Sequence, residues 1–143
     1  MEYRKWTYED LLQIAELEKQ CFSDPWNYRM LAESFFSENV SAVAAAEGEK
    51  VCGYGFLVAA GEEADIANIA VAEDFRRRGI ARAILTELEK AARGRGVKKL
   101  FLEVRVSNAP AMLLYLKSGF VGRYVRPRYY GDGEDALVME RVL

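Results

Sequence analysis

The alternation of apolar and polar positions divides the chain into extended and helical stretches. Tyr3–Trp6 suits a short first strand. From Thr7 a helix begins, with Asp10 placed as the acidic partner of a capping box and Leu11, Ile14, Ala15, Leu17 and Glu18 at helical spacing, the apolar members turned inward. Ser23-Asp-Pro-Trp-Asn27 breaks that helix, because Pro25 keeps Asp24 out of helical geometry, and a second short helix is expected from Asn27 to about Ser37. Val40–Ala46 and Val51–Ala60 then read as a hairpin around Glu47-Gly-Glu-Lys50, and Ala64–Val71 adds a third strand to an antiparallel meander. Gly53 and Gly55 inside the second run signal a bulge or close packing.

The next period is helical. Ile80, Ile84, Leu88, Ala91 and Ala92 share one face of a helix from Gly79 to about Arg93, which Gly94 and Gly96 end. Lys98–Val106 alternates, Leu100, Leu102, Val104 and Val106 on one face and Phe101, Glu103 and Arg105 on the other. Ser107 or Asn108 caps a helix with Pro110 in its first turn, running to Gly119. Phe120–Val125 and Ala136–Val142 close the chain as strands, around a polar, Gly-rich loop at 126–135. This order predicts an α/β fold in one domain, residues 1–143, with a mixed, mostly antiparallel sheet of about seven strands flanked by four helices on both faces.

Charge and composition narrow the chemistry. Twenty basic and 22 acidic residues give a net charge of −2, so no global field favours nucleic acid and basic character is local. No stretch has the length needed to span a bilayer, and the N-terminus has no apolar run behind its charges, so a cytoplasmic protein is expected. Cys21 and Cys52 lack metal-ligand or CxxC spacing and read as core thiols, and no metal site is expected. The chain contains no histidine. That removes Ser-His-Asp and Cys-His catalysis and leaves acid–base work to Glu, Asp, Tyr, Lys, Cys or water.

One stretch stands out. Ile69–Arg82 joins a strand pattern to a helix pattern through a turn with Arg76, Arg77, Arg78, Gly79 and Arg82. Unpaired N–H groups and the dipole of a helix start favour an anion, and a glycine there lets a bulky phosphate reach the backbone. The same residues also describe a solvated basic loop that merely caps a helix. For Trp26, packing on the core and lining a substrate groove are both open. Glu103, on the polar face of its strand, reads either as a solvated charge or as a base facing a cleft.

The run Asn68-Ile-Ala-Val71 followed by Arg76-Arg-Arg-Gly-Ile-Ala81 resembles the acetyl-CoA motif Q/R-x-x-G-x-G/A of the GCN5-related N-acetyltransferases (GNAT), with Ala81 as its last small residue. Leu102–Ala111, Tyr115-Leu-Lys-Ser-Gly-Phe120, Arg128–Ala136 and Phe22…Pro25-Trp26 extend the resemblance to the RimI branch, the ribosomal-protein-alanine N-acetyltransferases. The resemblance implies a GNAT fold and direct transfer of acetyl from acetyl-CoA to the N-terminal alanine of a small-subunit ribosomal protein, in a ternary complex without a covalent enzyme intermediate. It implies Glu103 as general base and Tyr115 as general acid. Ile69, Ala70 and Val71 would hold the pantetheine and thioester, Arg77, Arg78, Gly79, Ile80, Ala81 and Arg82 the pyrophosphate, and Asn108 a further cofactor contact, although capping alone would explain Asn108. Trp26, Tyr129 and Tyr130 become candidate walls of the acceptor groove. Glu134 and Asp135 either pair a basic peptide or are solvated loop charges. The expected partner is a protein N-terminus, with no nucleic acid or membrane, and the protein a monomer or weak dimer. A broader acceptor range (other N-termini, lysine, a small amine) and a non-catalytic acyl-CoA-binding module are the alternatives.

Overall fold

The computed structural model describes residues 1–143. Its strands are β1 (Glu2–Arg4), β2 (Val40–Glu47), β3 (Lys50–Ala60), β4 (Glu63–Val71), β5 (Lys99–Arg105), β6 (Val121–Arg126) and β7 (Ala136–Val142). They form one sheet in the order β1-β2-β3-β4-β5-β7-β6. The helices are α1 (Leu11–Cys21), α2 (Tyr28–Phe35), α3 (Ile80–Gly94) and α4 (Ala109–Lys117), with 3-10 turns at Tyr8–Asp10 and Glu73–Phe75. Seven strands and four helices are the number the hydrophobic pattern predicts. No helix is long and apolar enough to cross a membrane.

Local signals set the boundaries. Asn27 and Asn108 cap α2 and α4, their side-chain oxygens accepting from Met30 N (2.9 Å) and Ala111 N (3.2 Å). Asp10 accepts from the Thr7 amide at 2.7 Å, but the first turn it caps is 3-10 and the α-helix starts only at Leu11. The first strand stops at Arg4, two residues early, because Trp6 turns into the core and donates its indole N–H to Val43 O (3.0 Å).

The two faces of the sheet carry separate cores. On one, which we call the back, α3 buries Ile80, Ile84, Leu85, Leu88 and Ala92 and is joined by Tyr115 of α4 and by Phe120. Each large aliphatic buried there contributes roughly 1.5–3 kcal/mol. On the front, α1 and α2 bury Leu11, Ile14, Leu17 and Leu31 against Trp6, Tyr54 and Phe56. The glycine signal in β3 resolves as close packing: a Cβ at Gly55 would meet Ile84 Cγ2 at 2.7 Å, so the absent side chain lets α3 lie against β3. Two bulges adjoin these glycines: Cys52, next to Gly53, is the extra residue against β2, and Ala67 of β4 is the extra residue opposite Phe56/Leu57. Val106, expected on the buried face with Leu100, Leu102 and Val104, lies past the end of β5 and is 44% exposed.

One feature of the sheet positions everything that follows. β4 and β5 are its parallel neighbours, yet they pair only through Glu63–Asp65 with Lys99–Phe101. Beyond that point β4 continues on β3 and β5 on β7. The sheet therefore opens in the middle, and the facing edges of Ile66–Val71 and Leu102–Arg105 have no strand partner.

Candidate active site

The gap between β4 and β5 supplies free backbone donors. Ala72 N–H bonds to Cys52 O at 2.8 Å, so by alternation Ala70 and Ala72 direct their backbone groups to β3, while Ile69 and Val71 direct theirs into the gap. The bond from Arg76 Nε to Val71 O (3.0 Å) agrees with this phase and occupies that carbonyl. What stays available is the N–H and C=O of Ile69 and the N–H of Val71. Ala70 belongs to the ladder.

Past the gap, the chain enters α3 through Gly79, which is its N-cap at φ 77°. Unlike α2 and α4, α3 has no side chain bonded over its first turn, so its leading N–H groups lack a protein partner. A Cβ built on Gly79 would meet nothing within 4 Å, which leaves the approach to those donors open. Arg77 also sits in the left-handed region, at φ 64°, at a cost of about 1 kcal/mol that local structure must hold in place. The arginines divide by their contacts. Arg76 is consumed by Val71 O and by Cys21 Sγ (3.5 Å), and Arg78 lies over the Phe75 ring at 5.1 Å. Arg77 and Arg82 are exposed and make no ion pair within the chain. These donors and cations fit the pyrophosphate of a coenzyme A thioester. From Arg82 a hollow of about 380 Å³ continues past Glu89 to Lys117 and Arg141.

Glu103 and Tyr115 flank the gap from opposite faces. Glu103 is on the front of β5, half-buried, with Arg126 Nε 3.6 Å from its carboxylate. Burial first, then the charge of Asp65, pushes its pKa above the ordinary carboxylate value, with Arg126 pulling the other way. Tyr115 belongs to the back core, edge-on to Phe120 (centroids 5.8 Å apart). Burial pushes its hydroxyl up to about 12, so it holds its proton at neutral pH. Within the protein that hydroxyl has no hydrogen-bond partner, and it is not sealed from solvent.

Over the front of the gap, two loops meet on Arg105. Its guanidinium bonds Ser23 Oγ (2.7 Å), Asp132 (2.8 Å) and Glu134 (3.0 Å) and lies 4.0 Å from the Tyr130 ring centroid. Gly131 N–H adds a bond to Asp24 (3.2 Å). The 126–135 loop is thereby tied to the α1–α2 turn. Trp26 packs edge-on to Phe56 at 5.0 Å and remains partly exposed, so it is both core and wall. Tyr129 and Tyr130 stand edge to face, 5.1 Å apart, and both feel the charge of Glu103.

Three expectations change. Glu134 is not a free charge: besides Arg105 it accepts from Ser107 N (3.1 Å). Asp135 accepts from Arg128 N (2.9 Å). Both carboxylates shape the loop through these bonds. Asn108 spends its side-chain oxygen on the α4 cap, leaving only its amide group for a ligand. Residues that pattern reasoning passed over are Arg105, whose place on the polar face of β5 was its one signal, Asp65 and Glu18. A cavity of about 670 Å³ lies at the far β1–β2 edge between Trp6 and Arg95, away from Glu103.

The family model for the acetyltransferase (GNAT) family matches residues 11–120. The chain is 35% identical over 133 residues to the ribosomal protein bS18-alanine N-acetyltransferase of Escherichia coli K12, covering 91% of this chain and 89% of that protein. It is 32% identical over 148 residues to an N-alpha-acetyltransferase of Saccharolobus solfataricus, at 94% and 89% coverage. The crystal structure of the ribosomal-protein-S18-alanine N-acetyltransferase from Escherichia coli superposes with a TM-score of 0.89 at 32% identity, over 99% of this chain and 92% of that one. The match over residues 11–120 and the identity to these relatives make the chain an acyltransferase, a member of the GNAT acetyltransferase family. It is an acetyl-CoA-dependent N-acetyltransferase of the RimI type.

Proposed function

We propose that the protein acetylates the N-terminal alanine of a small-subunit ribosomal protein. The observation that carries this reading is the pair of proton-handling groups, Glu103 and Tyr115, on opposite faces of one gap whose edge offers free amides. Similarity to a bS18-alanine N-acetyltransferase supports the choice of acceptor.

The roles follow from where each group stands. An α-amine has a pKa of about 8 and arrives largely as ammonium, so a base must remove its proton before it can attack. Glu103, on the front where the two loops meet, takes that proton directly or through water. Acetyl-CoA supplies an activated acyl group and a thiol leaving group. Ile69 and Val71 N–H offer donors to the acyl oxygen as its negative charge grows, fixed in place before reaction. Tyr115, on the back, gives its proton to the departing sulfur. Gly79 to Arg82, with Arg77 and Arg78, hold the pyrophosphate, and Trp26, Tyr129 and Tyr130 wall the acceptor groove.

A panel of peptides that differ only at the first residue tests the reading, with spermine and a lysine-containing N-blocked peptide alongside. Acetylation of the free alanine terminus ahead of the rest is the expected result. Acetylation of spermine in preference to every peptide would sink it.

A further inference from the structure

Leu11, Ile14, Ala15 and Glu18 form the buried stripe of α1, and Glu18 has no exposed surface at all. A carboxylate in that position is disfavoured unless a cation pairs it. None does. Its bonded partner is neutral: Asn68 Nδ2 donates to Oε1 at 2.6 Å. Burial pushes the Glu18 pKa up, against the weaker pull of polar neighbours such as Asn68. The other oxygen, Oε2, and the neighbouring Tyr54 hydroxyl are both sealed from solvent, and neither completes a hydrogen bond within the protein. Leucine at 18 would fill the stripe without these costs, so packing does not account for the residue.

What Glu18 reaches does account for it. Asn68 is the residue at which the β3–β4 ladder resumes after its irregularity: Leu57 pairs with Ile66 and Phe56 with Asn68, leaving Ala67 as the extra residue. Such a bulge shifts the phase of the strand by one, and that phase decides which amides face outward. Immediately beyond it come Ile69 and Val71, whose amides enter the gap. We infer that Glu18 is a positioning residue of the transfer reaction: by holding Asn68 it keeps the β4 bulge in the register that aims the Ile69 and Val71 amides at the acyl oxygen. The inference rests on the acetyl transfer proposed above.

The test compares Glu18→Gln, Glu18→Leu and Asn68→Ala in three measurements: steady-state kinetics with acetyl-CoA and an alanine-terminated peptide, thermal melting, and amide hydrogen exchange across Ile66–Ala72. Glu18→Gln keeps an oxygen for Asn68 and retains kcat within about threefold. Glu18→Leu and Asn68→Ala each lower kcat by about tenfold or more, the scale of a displaced oxyanion donor. Peptide KM stays within about threefold of the parent value, and the double variant Glu18→Leu/Asn68→Ala is no worse than either single one, because both break the same link. Exchange at Ala70 and Ala72, whose amides bond β3 beyond the bulge, quickens in both disruptive variants. Asn68 is only half-buried, so its variant reports even where Glu18→Leu does not fold. Full kcat in folded Glu18→Leu or Asn68→Ala overturns the inference, as does an equal loss in Glu18→Gln. If the parent protein acetylates no amine, the proposed function falls, and unchanged exchange at Ala70 and Ala72 then removes the positioning role separately.

Discussion

Gly55→Ala puts a single methyl group between the sheet and the helix that begins the phosphate cradle. The new carbon would lie 2.7 Å from Ile84 Cγ2, 3.1 Å from Leu88 Cδ1 and 3.2 Å from Ile69 Cγ1, where carbon atoms settle at roughly 3.5–4.0 Å. Ile84 and Leu88 are fully buried, so relief of the contact displaces packed side chains and with them α3, by a few tenths of an ångström. Overpacking of this kind costs about 1–3 kcal/mol, partly offset by roughly 0.5–1 kcal/mol from the stiffer unfolded chain, which leaves a net loss of about 1–2 kcal/mol. For a chain of this length that lowers the melting midpoint by roughly 3–8 °C. The same shift moves Gly79–Arg82 relative to β4, and the KM for acetyl-CoA rises severalfold while that for the peptide changes less. Gly122→Ala is the control, since its added carbon meets nothing closer than 3.5 Å. Circular-dichroism melting of both variants, with acetyl-CoA kinetics, checks the argument. A Gly55→Ala protein that melts at or above the parent temperature with unaltered KM refutes it.

Three further outcomes follow from the charges around the gap and the N-terminal turn. The acid limb of kcat/KM, set by Glu103, falls above the ordinary carboxylate pKa of about 4.3, because burial and Asp65 raise it and Arg126 opposes them. Asp65→Asn moves that limb to lower pH and Arg126→Ala to higher pH, and a limb that ignores both would remove Glu103 as the titrating base. Tyr115→Phe deletes a hydroxyl that bonds no protein group, so the melting midpoint barely changes while kcat drops by about a hundredfold; unchanged turnover would dismiss the general acid. Burial raises the Asp10 pKa, but bonds from Arg4 and the Thr7 amide outweigh it and the net shift is downward. A depressed carboxylate contributes stability above its unfolded value and loses it as pH falls through the folded one. The urea-midpoint gap between the parent and Asp10→Asn therefore closes below about pH 4, and a gap constant with pH would contradict the assignment.

The parts of the fold that local pattern governs were legible. Helical spacing located α3, strict alternation located β5, and Gly79 marked the helix start because a left-handed N-cap favours glycine. The opening of the sheet was not readable, since an apolar strand has one pattern whether its edge is paired or free. Glu18 shares the stripe of Leu11 and Ile14, and spacing alone could have flagged it as buried, but not that its partner would be Asn68, 50 residues away. Arg105 was equally hidden: its bonds to Ser23 and Glu134 span 82 and 29 residues. Glu134 and Asp135 looked free for the same reason, their partners being set by how the loop folds back.

Mass spectrometry of an alanine-terminated peptide incubated with acetyl-CoA, comparing the parent protein with Glu103→Gln, bears most directly on the proposed function. One acetyl group on the α-amine with the parent protein, and a rate lowered by about a hundredfold or more in a Glu103→Gln protein of undiminished melting temperature, is the predicted result. Equal acetylation by the two proteins, or acetyl placed anywhere but the α-amine, would contradict it.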